Sequence, residues 1–427
     1  MVCDVFETYD GNTGKESFMK KKIRGLDLSI EFVCSLIVAI SLSFYIYCAH
    51  FRFPFEATDF LYIAFIIAIA IIIIRRKLII NKALLIYLLI VLYTGLGYLY
   101  SNNPEDGLRQ TLFFAIYFVF YWLAMQGGTF LQLMKKIIYI FSLMGMISVF
   151  VQFFKPELIN AFLFIVLRPW AYENIMWSYN VDGTYTGLTA SVSMASFSMA
   201  IVFFAAAQKI LYVKGKNTDL PEKQPNRMNF INYIIAFLAL FGIILTSKRG
   251  IFVATVIALL LAIVLDKDIK IRIIKKSHAI TLGIGIVLAV VGIVYLIEIN
   301  DYVIAFISRF TGNNITTGRN EFYKNAINAF SLGSVGTLFA GYGTGSAYLI
   351  NKTGLHNVYL QLLFDHGLLG LVLYGSFFIV NIKNAIKKRY FFSMCLQIVF
   401  LVYCMTGNPL YDYYFFIPYL LFACYEG

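Results

Sequence analysis

Residues 58–74 read TDFLYIAFIIAIAIIII and are followed at once by Arg75-Arg76-Lys77. After Asp59 the run holds no charge, and helical rise lets some 20 apolar residues cross a bilayer. The basic cluster then marks the place where the chain re-enters water. The rest of the chain repeats this pattern. Comparable apolar runs lie near 26–49, 82–100, 108–125, 136–154, 187–207, 230–246, 251–265, 278–297, 357–380, 391–407 and 414–425. The chain therefore reads as all-α, a polytopic membrane protein of about twelve transmembrane helices.

Composition agrees. Of 427 residues, 60% are hydrophobic and only 14% charged, too few charges to cover a soluble surface. Thirty tyrosines against three tryptophans suit the headgroup level, where a ring is half buried and its hydroxyl stays wet. The net charge of +12 is read as lysine and arginine held at one membrane face rather than as a nucleic-acid footprint. Alternate connections (1–25, 75–82, 126–136, 208–229, 266–277 and 381–390) carry 25 of the 35 basic residues, which places them and both termini in the cytoplasm. No small-residue cleavage site follows the first apolar run, so no removable signal peptide is expected. The six cysteines show neither metal spacing nor a disulfide ladder.

On the opposite side two segments are long enough to expect a role: 155–186, with Trp170 and Trp177, and 298–356. The whole chain reads as one integral membrane domain, 1–427, with 298–356 as a large external loop before the tenth helix.

Three clusters could carry chemistry. In Thr246-Ser247-Lys248-Arg249-Gly250, two cations sit at the end of an apolar run, against the charge bias of their side. Such charges are costly unless paired or wet. Two readings stand. The side chains snorkel to the headgroups, or the planar fork of Arg249 binds a diphosphate. In Gly318-Arg319-Asn320-Glu321, Arg319 opens a segment whose Phe322, Tyr323, Ala326, Ile327 and Phe330 recur at helical spacing. That predicts a short amphipathic helix on the outer leaflet, with Thr317 as its cap. It is either a plain surface helix or part of a site. In His356-Asn357-Val358-Tyr359-Leu360, His356 stands at the entry to a span, as a cap or as a base. Asp365 and His366 follow within the same span. The glycines of Gly341-Tyr342-Gly343 are read as tight turns, because no strand precedes them and no phosphate-loop lysine follows. No metal-binding, Walker or serine-hydrolase motif is present, so neither a metal nor a cofactor is called for.

Taken in order, these segments resemble the O-antigen ligase and polymerase superfamily. The resemblance rests on Thr246 to Gly250, Gly318-Arg319, Gly341-x-Gly343, His356 to Leu360, and Asp365 with Gly367 to Gly370. Tyr100-Ser101-Asn102-Asn103-Pro104 is similar to a recurring external turn. The match covers about the C-terminal half. One departure is that Lys248 stands where the pattern has serine. The resemblance implies a C-type glycosyltransferase architecture in the bacterial cytoplasmic (inner) membrane. Its donors and acceptors would be undecaprenyl-diphosphate-linked oligosaccharides, with no metal and no nucleic acid. Beyond membrane lipids, its partners would be a flippase and a chain-length regulator of the same pathway. Arg249 and Arg319 would bind the diphosphate and His356 would serve as general base. Lys248, Asn357, Tyr323, Tyr359 and Asp365 would contact substrate. The expected product is O-antigen or capsular polysaccharide. The alternatives are a ligase moving finished lipopolysaccharide glycan to lipid A core or another acceptor, and, from another class, a lipid-linked oligosaccharide flippase. A flippase would favour paired repeats and helices broken near the midplane, which are not seen here.

Overall fold

The computed structural model describes residues 30–75, 80–189, 191–211, 226–265 and 319–424. Among these residues the fold is helical throughout, the one β feature being an isolated bridge between Phe51 and Leu167. In chain order the helices are α1 (Ile30–Cys48), α2 (Ala57–Arg75), α3 (Lys82–Leu99), α4 (Pro104–Met125), α5 (Thr129–Phe154), α6 (Pro156–Val166), α7 (Pro169–Asp182), α8 (Val192–Leu211), α9 (Asn226–Leu245) and α10 (Arg249–Leu265). After them come α11 (Arg319–Ser331), α12 (Val335–Ala340), a short 3-10 turn (Ser346–Leu349), α13 (Val358–Lys387), α14 (Phe391–Tyr403) and α15 (Tyr413–Ala423).

Seven helices, α1 to α5, α8 and α13, are long and apolar enough to cross a membrane, which makes the chain a polytopic membrane protein. Four other expected spans meet the shorter apolar helices α9, α10, α14 and α15. The expected span 278–297 lies outside the described residues. One of the short helices is cut by a polar turn: α14 stops at Tyr403 where a helix to 407 was expected, while α15 begins at Tyr413, one residue before its expected start. The segment 155–186 is not an open loop. Proline at the first helical position starts both α6 and α7, and Ile159, Leu163, Leu167, Ala171 and Ile175 form a small core of their own.

Side-chain size sorts the bundle. On α2 the residues Leu61, Ala64, Ala68, Ile71 and Ile72 face neighbouring helices, while the bulky Ile63, Ile66, Ile73 and Ile74 are exposed. That arrangement is stable only where the surroundings are as apolar as the core. By contrast α8 is rich in Ala and Ser and is 78% buried over its apolar window, against 28% for α2. Small residues allow close backbone approach, and α8 packs on α9, α5 and α14 at the centre. Alongside it α10 packs on α14, and α13 on α3 and α12.

Candidate active site

The turn between α9 and α10 fixes the first two cations. Thr246 donates its hydroxyl to the Ile243 carbonyl at 2.6 Å and lies 2.5 Å from the Ser196 hydroxyl of α8. Ser247 then adopts a left-handed conformation (φ 53°), which breaks the helix and restarts it at Arg249. Lys248 and Arg249 are therefore held, half-buried, at the N-terminus of α10. There the positive end of the helix dipole adds to their potential. Gly250 is required by closeness: a Cβ would lie 2.5 Å from the Thr406 hydroxyl. Thr406 belongs to the connection between α14 and α15. Its carbonyl also accepts a hydrogen bond from the Arg319 guanidinium. The α10 start and the α11 start thus meet across one residue.

Helix α11 begins at Arg319, and Tyr323 lies one turn on along the same face. The expected capping residue Thr317 is outside the described residues. The helix is amphipathic, as the spacing indicates. Its apolar side, however, meets protein: Phe322, Ala326, Ala329 and Phe330 pack with Ala347, Leu355 and Phe364. This corrects the expectation of a helix laid on lipid through that face; of the residues named for it, Ile327 points outward.

His356 closes the group. It too has a left-handed backbone (φ 52°), a strained geometry for a non-glycine residue. Its carbonyl accepts from the Tyr323 hydroxyl at 3.3 Å, and its Nε2 lies 3.1 Å from the Thr353 hydroxyl. Asn357 next to it accepts from the Leu360 N–H at 3.1 Å and so caps α13. Burial, then the cations of Arg319 and Lys248, push the His356 imidazole down to about 4. The ring is consequently neutral at pH 7, and both cations lie close enough to it to be felt.

Two residues that sequence reasoning missed complete the wall. Asn408 donates to the Thr353 carbonyl at 2.8 Å. Asp412 sits just before α15, and burial raises its carboxyl to about 7 against the opposing pull of Lys248. Both lie in the polar break 404–412 between two apolar runs, the one signal that could have revealed them.

Not every expected residue joins this cluster. Asp365 is fully buried, two residues before the Gly367 kink in α13. One carboxylate oxygen accepts from the Ala347 N–H at 2.7 Å, and its backbone lies against Gly341, where a Cβ would come within 2.4 Å. Gly341 has φ 76°, as the turn reading requires. Asp365 thus anchors the 341–347 loop. Tyr359 donates to the Leu401 carbonyl at 2.8 Å, bracing α13 on α14 rather than facing the cleft. The turn at Tyr100 to Pro104 holds the same loop from the other side: Ser101 donates to the Thr344 carbonyl at 2.6 Å, and Tyr100 to that of Ala340 at 2.8 Å.

The fold and the site together define a class: a helical membrane protein in which a neutral imidazole lies within electrostatic reach of two positive side chains, chemistry suited to an anionic substrate. Residues 234–375 match the family model described as O-antigen ligase, which supports the resemblance to the O-antigen ligase and polymerase superfamily. The match runs from α9 into α13 and includes Lys248, Arg249, Arg319 and His356, but not Asp412. A search among curated proteins returns no match.

Proposed function

We propose that the chain is a glycosyltransferase that polymerises undecaprenyl-diphosphate-linked repeat units into O-antigen or capsular polysaccharide, on the outer face of the cytoplasmic membrane. In this reading both termini are cytoplasmic, twelve helices span, and 298–356 forms the external side of the site. One observation supports it: His356 lies within electrostatic reach of Lys248 and Arg319, which come from segments far apart in sequence, and all three fall inside the stretch that matches the family model.

The chemistry follows from that grouping. The diphosphate seats against Arg249, Arg319 and Lys248 at the start of α10. The acceptor hydroxyl passes its proton to His356, and its oxygen attacks the anomeric carbon. The bond from that carbon to the diphosphate oxygen breaks, and undecaprenyl diphosphate leaves with the electron pair. The cations stabilise the charge that grows on the leaving group, a contribution of about 10²–10³ in rate for each such donor. An imidazole held near 4 is a weak base in the empty cleft. A seated diphosphate offsets the two cations that depress it, so His356 becomes an effective base only once the donor is in place.

The family description favours a second reading, in which finished glycan is transferred to lipid A core or another acceptor. Deleting the gene in its host and sizing the glycans on the lipid carrier and at the surface separates the two. Single repeats with long chains lost everywhere support polymerisation. Long chains stranded on undecaprenyl diphosphate support ligation. An unchanged glycan profile counts against both.

A further inference from the structure

The turn that presents His356 is tied down more firmly than a helix entry needs. Asn351 starts it. Its carbonyl accepts from the Gly354 N–H at 2.8 Å, and its Nδ2 donates to the Gly354 carbonyl at 2.7 Å. A carbonyl only accepts, so that bond fixes which end of the Asn351 amide is nitrogen. The same Nδ2 donates its other hydrogen to the Thr353 hydroxyl oxygen at 2.9 Å. From behind, Asn408 donates to the Thr353 carbonyl at 2.8 Å, and the Leu355 N–H donates to Gln361 Oε1 at 3.2 Å. Gly354 (φ 78°) fits between those two amides, where a Cβ would lie 2.5 Å from Asn408 Nδ2 and 2.8 Å from Gln361 Oε1. Thr353 is thus held at both its carbonyl and its hydroxyl, and that hydroxyl lies 3.1 Å from His356 Nε2.

The contact decides where the imidazole carries its proton. A hydroxyl has two lone pairs and one hydrogen. Asn351 occupies one lone pair, which leaves Nε2 either the hydrogen or the other lone pair. If Thr353 donates to Nε2, the ring proton sits on Nδ1 and the neutral ring has no lone pair to offer a substrate. If Nε2–H donates to Thr353, the free lone pair is on Nδ1, to which no described residue hydrogen-bonds. The Thr353 hydroxyl hydrogen then turns to water, since the residue is exposed. Only the second arrangement makes a base. It also serves the protonated ring, whose Nε2–H keeps its acceptor.

We infer that Thr353 is the positioning residue of His356: its hydroxyl oxygen accepts from Nε2–H, holds the ring, and leaves Nδ1 as the nitrogen that takes the acceptor hydroxyl's proton. This rests on the general-base reading given above and adds the reacting atom and its partner. The O–H bond of the acceptor breaks as an N–H bond forms at Nδ1. The oxygen keeps the electron pair for the anomeric carbon, and Nδ1 later returns its proton to water.

Two readouts on purified full-length protein test it. The first is the solid-state ¹⁵N spectrum of protein labelled at its four histidines, with His356 assigned by its loss in His356→Gln. Wild type should show the Nε2-protonated tautomer, and Thr353→Val, which keeps the shape but not the hydroxyl, a mixture. The second is elongation in detergent of the lipid-linked repeat unit extracted from the deletion host. Thr353→Val should lower kcat by about tenfold to a hundredfold, a share of what a positioned base supplies, and leave KM unchanged. Thr353→Ser, which restores the hydroxyl, should recover both tautomer and kcat. A wild-type proton on Nδ1, a Thr353→Val protein with wild-type kcat, or a Thr353→Ser protein as slow as Thr353→Val overturns the assignment. Failure of the parent reading looks different: His356→Ala would still elongate chains, while the spectrum would still show whether Thr353 fixes the ring.

Discussion

Asp365 and Asp412 both act on Tyr348, so they border one region of the molecule, yet they serve opposite ends. Asp365 is sealed and holds the 341–347 loop through the Ala347 N–H. The Asp412 side chain makes no cap bond and lies within electrostatic reach of Lys248. The same division separates the two regions to which they belong. Around Gly341 to Ser346 the polar groups close on one another: Thr344 on Thr94, Ser346 on Tyr342, Ser101 on Thr344. Around Lys248, Arg319 and His356, charged groups of like sign are crowded together, and two backbones, at Ser247 and His356, are held left-handed.

Substitutions should break this comparison cleanly. The largest effect is expected at the cleft. His356→Ala and Arg319→Ala should each abolish polymer in the host while the protein accumulates normally, as seen by glycan gels beside an immunoblot. Near-normal polymer in either variant would remove that residue from the mechanism. At the wall the pattern should invert. Asp365→Ala leaves the buried Ala347 N–H without its acceptor and should cost about 1–3 kcal/mol of stability, read as a lower melting temperature in detergent, with activity falling only as folded protein is lost. A melting temperature equal to wild type would place Asp365 outside the scaffold.

A third effect concerns pH. Since burial and the cations of Arg319 and Lys248 hold His356 near 4 in the empty site, it stays neutral as pH falls until about that value. The part of the acid limb of kcat/KM that His356 sets should therefore lie low. A bound diphosphate raises the imidazole, so the corresponding limb of kcat should lie at higher pH. Coincident limbs that both vanish in His356→Gln would show that donor and imidazole are not coupled. Lys248→Ser should move the free-enzyme limb upward toward the ordinary histidine value, because one of the depressing cations is gone. Smallest of all, Tyr359→Phe should leave turnover unchanged and lower stability by about 0.5–1.5 kcal/mol, the worth of its bond to the Leu401 carbonyl. A loss of turnover greater than the loss of folded protein would return Tyr359 to the cleft.

Much of the candidate site was legible beforehand, because each cluster broke a local rule. Lys248 and Arg249 stood against the charge bias of their side, and Arg319 opened an amphipathic segment. His356 stood at a helix mouth. Asp365 and Tyr359 lay in the same motif and looked equivalent on paper. The structure gives them different bonds: Asp365 accepts from the Ala347 N–H, and Tyr359 donates to the Leu401 carbonyl. Asp412 was invisible for the converse reason. It lies in the short connection between the runs 391–407 and 414–425, outside every motif the sequence offers.

Composition and apolar run length by themselves determined that this chain is helical and lives in a membrane. A backbone in hydrocarbon must satisfy its own hydrogen bonds, and these runs are too long and too apolar for anything else. Tertiary structure alone decided which polar residues meet. The α10 start, the α11 start and the 404–412 connection converge only because Gly250 lets Thr406 approach and Arg319 reaches its carbonyl. Contacts between segments this far apart along the chain depend on three-dimensional packing, which no local pattern encodes.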